Sequence, residues 1–184
     1  MARPGKVRII AGQWRGRKLD VLDLPGLRPT PDRIRETLFN WLQMEIVAAS
    51  CLDLFAGTGA LGFEALSREA SAVTMVESNR ELCDLLKQQA TRFGSERHDI
   101  QQADALSWLQ HTDKQFDIIF LDPPFKQGLI ESSCHIIQQR DLLKPKGKLY
   151  IEAEKELDLP DDWQLLKHKQ TGQVQTALLT HKDK

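Results

Sequence analysis

The sequence predicts an α/β domain on a mostly parallel seven-stranded sheet with helices on both faces. An antiparallel hairpin closes the sheet at the carboxyl end, and a small basic β-hairpin and helix precede it. Three observations carry that expectation. From Cys51 onward, short apolar runs alternate with segments of helical spacing, the pattern of parallel strands joined by right-handed crossovers. The run Phe116–Leu121 is apolar apart from Asp117, as in a strand covered on both faces. The last two strand-like runs are separated only by Thr171, Gly172 and Gln173, too short a link for a crossover, so they pair antiparallel at an edge.

Taken in order, residues 6–11 and 17–21 read as two short strands joined by a glycine-bounded loop that carries Trp14 and Arg15. A basic loop with an aromatic suits phosphate contact plus base stacking. Residues 25–29 read as linker. Thr30 then fits a helix N-cap and Pro31 the first helical position, with Ile34, Leu38, Trp41 and Leu42 on one face, Glu45 breaking the stripe, and Arg33 and Arg35 turned outward. Strands follow near 51–55, 72–76, 98–102, 116–121, 147–153, 163–169 and 174–180, and helices near 60–68, 79–92, 104–110 and 127–140. The expectation is one domain over 1–184, with 1–48 as a nucleic-acid-contacting part and 49–184 as a catalytic core.

At 184 residues the chain can bury roughly 70% of its unfolded surface without staples. Cys51, Cys83 and Cys134 lie far apart with no CxxC pair, which argues against a disulfide framework or zinc site. The five histidines show no helical pairing, and no metal is expected. The start, MARPGKVRIIAG, is neither signal peptide nor membrane span, so a cytoplasmic setting is expected. The net charge of −1 hides an asymmetry. Residues 1–35 hold nine Lys/Arg against three acids, leaving six positive charges there and seven negative beyond. A basic arm on an acidic body points to a polyanionic partner.

After the first core strand comes DLFAGTGALG, Asp53 to Gly62. Its glycines allow close backbone approach, and a helix starting near Ala60 would point its amide-rich end at a ligand. Gly57, Gly59 and Gly62 make GxGxxG, which alone also fits a nicotinamide dinucleotide site or a plain structural turn. The second strand ends at Glu77, where a carboxylate can hold the ribose hydroxyls of an adenosine. The third ends at Asp104 and Ala105, where an acid can accept from adenine's amine.

The fourth ends in Asp122-Pro123-Pro124-Phe125. Two prolines fix φ twice and remove two donors, leaving carboxylate and carbonyl acceptors beside a flat apolar ring. Acceptors without donors suit an exocyclic amine, whose delocalised lone pair needs aligning on an electrophile while the ring stacks on the base. The bland alternative is a Pro-Pro turn with a packed Phe. Four features in series at one sheet edge, in one crevice, favour the functional reading.

On these motifs residues 51–180 resemble the class I S-adenosylmethionine-dependent methyltransferases, whose fold is Rossmann-like. DPPF is similar to the signature of enzymes that methylate adenine N6, guanine N2 or protein glutamine. The stretches RIIAGQWRGRKL and RPTPDRIRETLFNWL resemble, more narrowly, the bacterial 16S ribosomal RNA guanine-N2 methyltransferase family, methyltransferase D of the small subunit. The resemblance implies S-adenosylmethionine as cofactor, and 16S ribosomal RNA or the assembling small subunit as partner of a monomeric enzyme. It implies Gly57 and Gly59 along the methionine part, Glu77 at the ribose, and Asp104 with Ala105 at the adenine. Asp53, Phe55, Thr58 and Ser78 complete that set. Asp122 and the Pro123 carbonyl would hold the guanine amine, with Pro124 shaping the turn and Phe125 stacking. RNA contacts would fall on Arg15, Arg17, Lys18, Arg28 and Arg33. A DNA adenine or protein glutamine transferase would share DPPF but not the N-terminal stretches. An NAD oxidoreductase has only GxGxxG in its favour, and a silent RNA-binding module only the basic arm.

Overall fold

The computed structural model describes residues 5–25, 27 and 29–182, so Arg28 lies outside the described residues. Strands β1 (Lys6–Arg8) and β2 (Lys18–Asp20) form a small antiparallel ribbon, followed by helix α1 (Asp32–Trp41). The main sheet takes β3 (Ser50–Asp53), β4 (Ala72–Glu77), β5 (His98–Gln102), β6 (Phe116–Leu121), β7 (Leu143–Glu154), β8 (Trp163–Thr171) and β9 (Val174–His181). Its order is β5-β4-β3-β6-β7-β9-β8. The first five are parallel, while β9 runs antiparallel to β7 and β8, as the short Thr171–Gln173 link requires. The crossovers are α2 (Ala60–Ser67), α3 (Arg80–Phe93), α4 (Ala105–His111) and α5 (Leu129–Gln139). Chain order reverses between β3 and β6, and at such a switch point the loops part to leave a crevice at the carboxyl edge.

Apolar residues fill both faces of the sheet. On one, Phe39, Phe63, Phe93, Phe120 and Tyr150 pack together; on the other, Leu52, Ile119, Leu121, Ile137 and Leu149 do. Helix α2 is buried on every side, which its sequence ALGFEALS permits because only Glu64 carries charge. Helix α3 opens with the Asn79 side chain accepting from the Leu82 amide and closes on Gly94 in the left-handed region.

Four expectations need correction. Trp14 is buried and stacks on Phe93 with ring centroids 4.9 Å apart, so it offers no face to a base. The cause is the docking of its loop: the Gln13 and Trp14 amides donate to Ser67 O and Oγ, and the Ile10 and Ala11 amides to the two Glu64 carboxylate oxygens. Gly12 at φ +81° makes that approach possible, since a Cβ there would lie 1.9 Å from Ser67 O. Arg35 does not face outward. It is fully buried, donating to Glu64, to Asp32 and to the carbonyls of Arg8 and Thr30. Thr30 does not cap α1, for its hydroxyl donates to Asp122 Oδ2 at 2.9 Å. Strand β7 begins at Leu143 rather than 147, the extra residues being taken up by a register shift opposite Phe116–Ile118.

Candidate active site

A cavity of about 910 Å³ opens at the carboxyl edge of the sheet, within the size range of cofactor sites. The turns after β3, β4, β5 and β6 bring Asp53, Glu77, Asp104 and Asp122 into its lining, together with the Asp122–Phe125 turn. Phe55, Gly57, Thr58, Ser78 and Ala105 line it as well. The loop between β3 and α2 is held by two carboxylates. Glu77 Oε2 accepts from the Gly57 amide at 2.9 Å while its Oε1 accepts from the Asn79 amide at 2.9 Å. Asp53 Oδ2 accepts from the Gly62 amide at 3.0 Å, placing an acid at the positive end of α2. Gly59 sits at φ +77°, and a Cβ there would come within 2.6 Å of Leu86 and 2.7 Å of Phe63. Asp104 caps α4 by accepting from the Ser107 amide at 2.9 Å.

At the other end of the cavity the Asp122 carboxylate receives the Thr30 hydroxyl, and Phe125 is 40% exposed, its ring open to a stacking partner. The sequence reading missed three parts of this site. Leu24 forms one wall with Pro25, Leu27 and Pro29, the last three read as linker. Thr30 orients Asp122. Glu152 on β7, only 5% exposed, lines the cavity beside Asp122 and accepts from the Tyr150 hydroxyl at 3.2 Å. Burial raises the Asp53 carboxyl to about 7, with Asp122 and Glu77 adding repulsion. Burial pushes Asp122 up as well, against the Thr30 hydrogen bond, and Glu152 higher still, with the nearby Asp122 charge adding to it.

Five acids and, among the described residues, no Lys or Arg line this cavity. The Gly57 and Gly62 amides, which would cradle a pyrophosphate, are already committed to Glu77 and Asp53. Such a lining disfavours a dinucleotide and fits a cationic cofactor with ribose hydroxyls and an adenine amine to hold, as S-adenosylmethionine has. Among the described residues, no group of His, Cys, Asp or Glu is arranged to hold a metal ion.

Of the basic arm, Arg17 is spent within the protein: its guanidinium lies 4.2 Å over Phe93 and donates to Arg92 O. Lys6 pairs with Asp20, and Arg8 with Asp32. Arg15, Lys18 and Arg33 are exposed and make no ion pair among the described residues. Arg33 lies between the wall residues Pro31 and Ile34 in sequence but does not itself line the cavity.

The family model described as Conserved hypothetical protein 95 matches residues 7–180. Ribosomal RNA small subunit methyltransferase D of Haemophilus influenzae is 47% identical over 180 residues, covering 95% of this chain and 93% of that protein. This chain belongs to the small-subunit methyltransferase D family. The family's Escherichia coli member is likewise 47% identical, over 175 residues, 92% of this chain and 87% of its own. The structure described as "Putative methyltransferase yhhF from Escherichia coli" superposes with a TM-score of 0.89 at 40% identity, covering 97% of this chain and 99% of its own. Methyltransferase D relatives thus match both the core with its cavity and the N-terminal segment that walls it.

Proposed function

We propose that this protein methylates the exocyclic N2 amine of a guanine in 16S ribosomal RNA, with S-adenosylmethionine as methyl donor. The observation that carries it is the acceptor-only turn Asp122–Phe125 facing the same cavity as the glycine loop and Glu77, in a chain of this family. Glu77 holds the cofactor ribose, Asp104 and Ala105 the adenine, and Gly57 and Gly59 leave room for the methionine part, with Asp53, Phe55, Thr58 and Ser78 around them. Bound there, the cofactor supplies a sulfonium methyl, already strongly electrophilic.

The protein's own work is alignment. Asp122 and the Pro123 carbonyl accept the two amine hydrogens, turning the nitrogen lone pair out of conjugation and toward the methyl donor, while Pro124 keeps the turn rigid. Thr30 fixes one Asp122 oxygen, and Phe125 stacks on a base that must leave its helix or already be unpaired. The methylated amine would shed its proton, to Asp122 or to solvent, only after the new N–C bond has replaced the S–C bond of the sulfonium, so Asp122 need not be a strong base. Arg15, Lys18 and Arg33 supply the phosphate contacts. In this reading 1–184 acts as one methyltransferase unit, residues 1–48 contacting RNA and 49–184 holding the chemistry.

A labelled-methyl assay on naked 16S RNA, partial small-subunit particles and DNA tests the reading. Asp122→Ala should abolish turnover while calorimetric cofactor affinity and thermal stability hold, because the lost alignment matters in the transition state. A folded Asp122→Ala protein that methylates at the wild-type rate would remove this turn from the mechanism.

A further inference from the structure

Strands β6 and β7 run parallel with Leu121 opposite Ile151, so Asp122 and Glu152 follow at matching positions on one face of the sheet edge. Glu152 is buried, yet it lines the cavity. Among the described residues its carboxylate has one hydrogen-bond partner, the Tyr150 hydroxyl, and no cation. A buried acid without a cation is costly to the fold, and in a cleft it marks a functional group.

The acceptors at Asp122 and Pro123 suit any exocyclic amine and do not by themselves choose a base. What distinguishes the bases is the ring nitrogen beside the amine. Next to the adenine N6 and cytosine N4 amines that nitrogen is a bare acceptor; next to the guanine N2 amine, N1 carries a hydrogen. A flipped base is read along this edge. We propose that Glu152 accepts the guanine N1–H and so selects guanine over adenine and cytosine at the turn where Asp122 holds the amine. The inference rests on the methyl transfer proposed above. Two carboxylates side by side match two adjacent donors on guanine. Facing adenine or cytosine, the ionised Glu152 carboxylate would meet a lone pair and be left unpaired. Tyr150 and the N1–H both donate to Glu152, which favours its ionised form once the base is in place.

The test first maps the methylated guanine by mass spectrometry, then replaces it with 2-aminopurine, which keeps the C2 amine but has a bare N1. Wild-type enzyme should prefer guanine by at least about a hundredfold in kcat/KM, since sites built around a substrate donor reject an analogue lacking it by up to about 10⁵. Glu152→Gln keeps the shape and can turn its amide NH2 toward a bare N1. It should lose at least about tenfold on guanine and bring the two substrates within about tenfold of each other, with cofactor affinity at the wild-type value and Tm no lower than wild type. Tyr150→Phe, which removes the donor that favours the ionised form of Glu152, should narrow the preference severalfold and serves if Glu152→Gln does not fold. An unchanged preference in these variants, or an equal loss on both substrates, overturns the proposal. No methyl incorporation by wild-type enzyme into any guanine of the RNA would instead overturn the function, and this inference with it.

Discussion

At the level of single residues, the acids of the cavity set a dependence on pH. Burial holds the Asp53 carboxyl at about 7, far above its ordinary 3.8. An acid raised on folding stabilises the fold below its unfolded pKa and loses that contribution as pH rises through the folded value. Asp122 and Glu152 act in the same sense. Without added ligand, these three should cost stability progressively from about pH 4 to about pH 8. Asp53→Asn, which can still accept from Gly62, should therefore melt several degrees above wild type at pH 8, the gain fading toward pH 4, at about 1.4 kcal/mol per pKa unit. A gain independent of pH would show that charge on Asp53 is not its source. Asp20, Asp99 and Asp117 are lowered and work oppositely. Burial opposes the lowering in each; Lys6 leads it at Asp20, Lys114 at Asp99, and the Ser50 hydrogen bonds with Lys144 at Asp117. Their stabilisation is present above pH 4 and lost in acid. Glu77→Ala should weaken S-adenosylmethionine binding at least about tenfold by calorimetry, the worth of one charge-assisted hydrogen bond, with a small change in Tm because Glu77 is half-exposed. Phe125→Ala should weaken RNA engagement by about 1–3 kcal/mol, while Phe125→Tyr keeps the ring face and stays mild.

Among the elements, Glu64 on α2 joins three pieces of chain. Its carboxylate takes the Ile10 and Ala11 amides, Arg35 from α1 and Arg68 at the end of its own helix. Glu64→Ala would leave Arg35 buried without its fully buried partner and should cost about 3–5 kcal/mol in a urea melt. This hub was hidden in the sequence for an instructive reason. Arg35 falls three, four and seven residues before Leu38, Phe39 and Leu42, so helical spacing alone puts it on the buried stripe; its charge argued the other way. Strands β4 and β6 and helix α3 could be read directly, because an apolar run or a clean stripe with an Asn cap and a closing Gly has one outcome. The early start of β7 could not, since Lys144-Pro145-Lys146-Gly147 has the composition of a turn. The same division runs through the site. Glu77, Asp104 and Asp122 each stand just past or at the end of a recognisable strand. Glu152 stands in EAEKE, which looks like a solvated face, and Thr30 looks like a helix cap, because their roles depend on residues some thirty and ninety positions away.

Over the whole molecule, the charge asymmetry of the sequence survives folding in reduced form. Arg35 is buried and Arg17 is stacked, so Arg15, Lys18 and Arg33 remain as exposed cations without ion pairs among the described residues. Affinity for ribosomal RNA should fall steeply with salt, and replacing Arg15 and Arg33 together by neutral residues should flatten the log–log slope by about one unit for each phosphate left without its cation. Arg17→Ala should instead lower Tm with little change in slope; a flattened slope there would place Arg17 on the RNA. The N-terminal ribbon also carries a consequence for the order in which the molecule is made. Its anchors Glu64, Gln89 and Arg92 lie 54, 69 and 72 residues further along the chain. The ribbon leaves the ribosome well before its anchors and therefore waits, its Trp14 and Ile9 uncovered, until α3 has emerged and much of the sheet has been synthesised.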